Sequence, residues 1–165
     1  VEGRTKSLYY VSAVAKTYRQ AIDEVLENPS ADMEKYFLEL QKVGNRGYTT
    51  GFALGDNNGE SYSYDISKGL AGADFLCEFR SEERNITISS DYHLVKVKNK
   101  MLLGDEVEII TPDEQFIAKV EGIKDADGED LELGNTNADV YIKFSQSPKD
   151  TKYALVRTVG IKTCF

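Results

Sequence analysis

Alternation of apolar and polar side chains over residues 95–122 constrains this chain more than any other feature. Val95 and Val97 alternate with Lys96 and Lys98, Val107 and Ile109 with Glu106 and Glu108, and Phe116, Ala118 and Val120 with Ile117, Lys119 and Glu121. Successive side chains of a strand point to opposite faces, so a period of two means strands with one apolar face. The runs are separated by Gly104-Asp105 and by Thr111-Pro112-Asp113-Glu114, in which the proline presets a turn dihedral. An antiparallel meander is expected, the grammar of a small barrel or sandwich.

The same pattern extends both ways. Strands are expected over 73–80, 85–97, 106–111, 115–123, 130–133, 140–144 and 153–158. Six or seven strands with no crossover helix between them close into a mostly antiparallel β-barrel. Before them, Leu8, Val11, Val14 or Ala15, Tyr18, Ile22, Val25 and Leu26 recur at helical spacing, so a helix over 8–28 is expected with these residues inward. Ser7 suits its N-cap, and Asn28-Pro29 ends it because the residue before proline is pushed out of helical geometry. Ser30 or Asp32 can cap a second helix running to Lys42, with Met33, Phe37, Leu40 and Tyr36 inward and Gly44 as its left-handed terminator. The fold class is therefore α+β: an N-terminal helical hairpin with its connector over 1–52, then a barrel over 53–165. Within the second part, 55–68 reads as a long polar loop in which Tyr62 and Tyr64 alternate with serines as a short edge strand.

The hairpin has only the barrel, or a domain outside this sequence, to bury its stripe against. The chain opens on Val1 in the middle of a motif, so it reads as part of a longer protein. No apolar run approaches the length of a membrane span and no basic-then-apolar leader is present at Val1, which points to the cytoplasm. Oligomeric state is not legible.

Charge narrows the partners. Residues 1–52 carry seven Lys/Arg and seven Asp/Glu, whereas 53–165 carry thirteen against twenty-one, so the net charge of -8 lies in the β part. Phosphate backbones are gripped by clustered Lys and Arg, and such a barrel is a poor nucleic-acid binder by itself. Lys96, Lys98 and Lys100 are expected to be a solvated edge rather than a phosphate grip. Cys77 sits in an apolar run and reads as a small buried hydrophobe, while Cys164 is next to last. Without a Cys-x-x-Cys pair and with one histidine, no metal ligand set is expected in these residues. Asp125–130 fails the EF-hand template, because position six would be Asp130 and position twelve Thr136; Asp127-Gly128 reads instead as a hairpin turn. His93 reads as a half-buried strand histidine. The best candidate site is the basic start: Glu2, Arg4 and Lys6 around Gly3, just before a helix, with the ring of Tyr10 beside them, suit an anion or a stacked base.

Two segments carry a resemblance. Val1-Glu2-Gly3-Arg4-Thr5-Lys6-Ser7-Leu8-Tyr9-Tyr10-Val11 is similar to the closing segment of the catalytic domain in the collagenase-like peptidase family U32. Asn45-Arg46-Gly47-Tyr48-Thr49-Thr50-Gly51-Phe52 resembles a second stretch of that family, with Asn45 where histidine is usual. The wording is most similar to the tRNA-hydroxylation branch. The resemblance implies a large N-terminal domain holding an iron–sulfur cluster on cysteines, none of which falls here, and prephenate-dependent hydroxylation of the wobble uridine of tRNA. It adds Arg46 and Tyr48 to Glu2, Arg4, Lys6 and Tyr10 as candidate substrate contacts, with no catalytic residue in this chain. The expected role is accessory and substrate-positioning, inactive alone, with the missing domain and tRNA as partners. A collagenase-like protease or a purely structural or self-associating barrel are the alternatives.

Overall fold

The computed structural model describes residues 1–45, 48, 55, 72–80 and 88–160, and the chain divides into two compact units: Val1–Ala73 with Gly160–Phe165, and Asp74–Val159. The 55–68 loop, apart from Gly55, the strand expected around Tyr62 and Tyr64, Arg46 and Cys164 lie outside the described residues.

In the first unit, α1 (Leu8–Glu27) begins where Ser7, in extended geometry, accepts a 3.1 Å bond on Oγ from the Tyr10 N–H. It ends at Asn28, whose N–H donates to the Glu24 carbonyl. Both ends are those the sequence specifies. Its packing is not. The buried residues are Tyr9, Ala13, Val14 and Thr17, while Leu8, Val11, Tyr18, Ile22, Val25 and Leu26 are exposed. The stripe expected to face inward is thus, apart from Val14, the outer one. What decides the difference is a polar tie: the Tyr9 hydroxyl donates to the Lys42 carbonyl at 3.1 Å, and Thr17 satisfies its own hydroxyl on the Ala13 carbonyl at 2.8 Å. A phenol and a threonine supply the inner face, which hydrophobic periodicity does not weight.

Helix α2 (Glu34–Gln41) is shorter than the sequence suggests and has no buried residue. Met33 occupies its N-cap without a side-chain bond; Asp32 instead folds back onto the Glu34 N–H at 2.9 Å. Gly44 is not a left-handed terminator. The last turn tightens into i→i−3 bonds, Lys42 N–H to Glu39 and Val43 N–H to Leu40, which satisfies those carbonyls without one. Glu24 of α1 accepts from the Tyr36 hydroxyl and pairs with Lys35, clamping the two helices. Ala73 N–H donates to the Lys42 carbonyl at 2.7 Å, and at neighbouring Gly72 a Cβ would lie 2.0 Å from that oxygen, so only glycine fits.

The second unit is a closed antiparallel barrel of β1 (Phe75–Phe79), β2 (His93–Val97), β7 (Asp139–Phe144), β5 (Gln115–Lys124), β4 (Glu106–Ile110) and β8 (Leu155–Thr158), in that spatial order. A two-residue ribbon of β3 (Met101–Leu102) and β6 (Leu133–Gly134) stands beside it. The six barrel strands agree with the expected count, but the meander holds only in part. The β4–β5 hairpin forms, its loop closed by Thr111 Oγ1 accepting from the Glu114 N–H at 2.8 Å. Strand β2 pairs with β1 and β7 rather than with β4, because residues 99–105 are diverted into β3 and a turn. Of the strand expected over 85–97, residues 85–87 lie outside the described residues and β2 covers His93–Val97; just before it, Ser89 to Tyr92 is a turn closed by the Tyr92 N–H on the Ser89 carbonyl. Asp125 accepts the Asp127 and Glu129 N–H groups, and Gly128 takes φ +90, so this segment is the expected hairpin turn.

The interior is filled by the apolar sides of all six strands, with Cys77, Val95, Val97, Val107, Ile109 and Ile142 fully enclosed. Burial pushes the Cys77 thiol far up, so it behaves as the hydrophobe expected of it. On the opposite face of β4 and β8, Glu108 stands in register with Arg157, whose side chain is 0% exposed. Arg157 Nε donates to Glu108 Oε2 at 2.8 Å, and Gln115 Nε2 donates to Glu108 Oε1 at 2.8 Å.

A buried charge stripped of its partner is strongly unfavourable, whereas a well-packed apolar pair can replace both. Arg157→Met is therefore expected to cost about 3–5 kcal/mol in urea unfolding, and Glu108→Leu/Arg157→Met to recover most of that loss. A double variant no better than the single one would show that the pair is not the source of the cost.

Candidate functional site

The first seven residues fold back over the start of α1. Glu2 accepts from the Arg4 N–H at 2.8 Å, and the Lys6 N–H donates to the Gly3 carbonyl at 3.0 Å. A Cβ at Gly3 would come within 2.8 Å of the Val11 side chain, so the glycine lets this turn lie close to the helix. The turn delivers the Lys6 ammonium to a point 5.2 Å from the centre of the Tyr10 ring, a cation–π contact.

From the other side comes the segment after α2. The Tyr48 hydroxyl donates to the Leu40 carbonyl at 2.8 Å, and its ring meets Phe37 edge-on with centroids 5.7 Å apart. Asn45 donates its carboxamide N–H to the Val43 carbonyl at 2.9 Å. Glu2, Thr5, Lys6, Tyr10, Gly44, Asn45 and Tyr48 together line an open cavity of about 480 Å³ within the first unit.

Of the six candidate residues, Glu2, Lys6, Tyr10 and Tyr48 meet at this cavity, Arg4 is not in its lining, and Arg46 lies outside the described residues. Sequence reasoning missed Thr5, Gly44 and Asn45. The convergence of residues 2–10 with 44–48 depends on the helical hairpin bringing both segments to one end, and no local pattern encodes it. Among the described residues the wall holds one ammonium, one carboxylate, a carboxamide, a hydroxyl and two phenols. Such a set can hold an anionic group beside a flat ring, and it contains no nucleophile paired with a base.

The other candidates stay apart. Lys96 pairs with Asp139 at 3.1 Å and Lys98 with Glu78 at 3.0 Å, so in place of the solvated edge expected of them these two lysines are held by carboxylates on the barrel surface. His93 is a half-buried strand residue whose Nε2 lies 2.8 Å from the exposed Ser147 hydroxyl oxygen, its ring edge-on to Phe79. Among the described residues no cluster of three His, Cys, Asp or Glu could hold a metal ion, and Cys77 is sealed in the barrel core; these residues do not fit an iron–sulfur cluster. No helix among the described residues is long and apolar enough to cross a membrane.

Partial burial raises the Tyr48 phenol above its ordinary value, and the neighbouring Tyr10 and Tyr18 phenols raise it further by opposing a second negative charge. Tyr48 is accordingly a hydrogen-bond donor at neutral pH. In a titration followed by NMR of labelled tyrosine rings, it should ionise above about 10. Tyr10→Phe should lower that midpoint, and an unchanged midpoint would place the two rings further apart than this cavity does.

The profile of the peptidase family U32 C-terminal domain matches residues 72–157, and that of peptidase family U32 matches residues 1–63. The chain is 34% identical over 161 residues to tRNA hydroxylation protein P of Haemophilus influenzae and 32% identical over 160 residues to that of Escherichia coli. In both cases the match covers 94% of this chain and 33% of the relative, so the chain spans about a third of the length of the curated relatives it matches. Among solved structures, the C-terminal domain of a U32 peptidase from Geobacillus thermoleovorans aligns with a TM-score of 0.42 at 24% identity, covering 52% of this chain and 99% of that one.

Proposed function

The chain belongs to peptidase family U32, and from that premise we propose that it is the C-terminal, substrate-positioning region of a prephenate-dependent hydroxylase acting on the wobble uridine of tRNA. The observation that carries this reading is the extent of the likeness: 94% of the chain, both units included, aligns with proteins named for tRNA hydroxylation at 32–34% identity. The cavity agrees in chemistry. Lys6 with the Tyr10 and Tyr48 rings suits a phosphate and a base, and Glu2 and Asn45 offer an acceptor and a donor for base edges. The barrel is the weaker candidate for the grip, since it is acidic and its lysines at 96, 98, 124, 143 and 149 are each engaged by a carboxylate. Its part is to hold and orient, and the reacting groups, with any iron–sulfur cluster, belong to the remainder of the full-length protein.

Nucleoside mass spectrometry tests this in cells lacking the full-length gene. Hydroxylated wobble uridine should return with the intact gene and fail to return with a version cut after Phe52 that remains soluble. Lys6→Ala with Tyr10→Ala should lower it at least several-fold at equal protein level. If the deletion never removes the modification, the assignment to tRNA fails.

One contact favours a second reading, that of a peptidase. His93 and Ser147 stand at the 2.8 Å distance of a base and its nucleophile. The cavity with the convergent polar groups lies in the other unit, however, and Ser147 is on an exposed segment of the barrel. A fluorophosphonate probe should leave the full-length protein unlabelled. Labelling that disappears in Ser147→Ala would establish the peptidase reading instead.

A further inference from the structure

Helix α1 carries a buried face and, around another side, an apolar stripe that stands exposed. Tyr9, Ala13, Val14 and Thr17 pack inward. Around the other side, Leu8, Val11, Ala15, Tyr18, Ile22 and Val25 follow one another at intervals of three and four, a single stripe along nearly the whole helix. Leu8 is 55% exposed, Ile22 48% and Tyr18 47%, and Leu26 at the end of the stripe is 75% exposed. A helix that carries an exposed apolar stripe beside its buried face is one whose stripe is covered in its working state, because a soluble surface helix keeps its outer face polar.

We infer that this outer face of α1 is the docking surface for the part of the full-length protein that lies outside these 165 residues, which covers it with apolar side chains. Three observations select that occupant. The family profile that spans α1 is that of the U32 domain, matching residues 1–63, while the barrel matches a separate C-terminal profile. About two-thirds of each tRNA hydroxylation relative has no counterpart in this chain, which is ample to supply a covering surface. The face is also electrically quiet: its charged neighbours Arg19 and Asp23 neutralise each other through a bidentate pair, with Nε at 3.0 Å from one carboxylate oxygen. An RNA backbone would select a basic face, and this one is apolar.

The surface also explains how the cavity is held. Ser7, Tyr10 and the turn carrying Lys6 stand at the N-terminal end of α1, so fixing the helix by its outer face fixes the orientation of those groups toward whatever domain covers it. This inference deepens the proposed function by naming which surface joins the accessory region to the catalytic part, and it rests on that reading for the longer protein but not for the identity of the reaction.

The test uses the full-length protein with the photo-reactive residue p-benzoylphenylalanine in place of Ile22, and separately in place of Gln20, which lies off the stripe. After irradiation, peptide mass spectrometry should find the Ile22 probe joined within one molecule to a peptide outside residues 1–165, and at least ten-fold less such product from Gln20. Joining to a second copy, joining to the barrel residues 74–159, or no joining above the Gln20 level would each overturn the inference. Ile22→Glu in the same protein should expose the face, with faster hydrogen exchange in α1 and in the peptide it covers. Unchanged exchange in both would overturn it as well. None of these readouts involves tRNA, so a failed tRNA assignment and a failed docking surface are told apart.

Discussion

Closure of the barrel is the constraint on which the second unit depends. Strand β8 lies between β1 and β4, so residues 155–158 must return across the chain to pair with residues 75–79 on one side and 106–110 on the other. Without that return, two strands would present unpaired N–H and C=O groups, and an open edge is both unsatisfied and prone to association. With it, every strand of the ring is paired on both sides and the apolar faces converge on a single interior. The Glu108–Arg157 pair sits on this closing seam, which is why its charges can remain buried: the register that closes the ring also places the two side chains opposite one another.

The helical unit follows a different logic, in which hydrogen bonds from tyrosines replace apolar packing. Tyr9 reaches the Lys42 carbonyl, Tyr36 reaches Glu24, and Tyr48 reaches the Leu40 carbonyl. A phenol offers a large apolar ring and one directional donor, so it can fix the end of a short helix that buries nothing of its own. The consequence is that the segment before α1 and its first turn meet Gly44, Asn45 and Tyr48 at one cavity with Lys6 and Tyr10 on its wall. The same arrangement frees the other side of α1, and its apolar stripe is left for a surface outside these residues.

The two units also differ in how their cations are held. The acidic barrel pairs Lys96, Lys98, Lys124, Lys143 and Lys149 with carboxylates, while the cavity of the first unit keeps the Lys6 ammonium against a ring. Exposed pairs of this kind add little to stability, but they remove free cations from a surface.

Local chemistry was legible in the sequence wherever a feature depends on near neighbours. Ser7 as a cap, the stop at Asn28-Pro29, the Thr111–Glu114 hairpin, the Asp125 turn and the enclosed Cys77 all follow from spacing, turn residues and the period of two. Charge and position before a helix singled out Glu2, Arg4, Lys6 and Tyr10, and the resemblance added Arg46 and Tyr48; in the fold Glu2, Lys6, Tyr10 and Tyr48 share one cavity, and Arg4 is not in its lining. Only tertiary structure decided which face of α1 turns inward, because the choice rests on a bond between residues 9 and 42 and not on the strength of the apolar stripe. Only tertiary structure decided the strand neighbours, since alternation states that a strand has an apolar face and is silent on its partner. The pairing of β2 with β7, the return of β8 and the meeting of Lys6 with Tyr48 at one cavity are long-range closures, fixed by the shape of the whole chain.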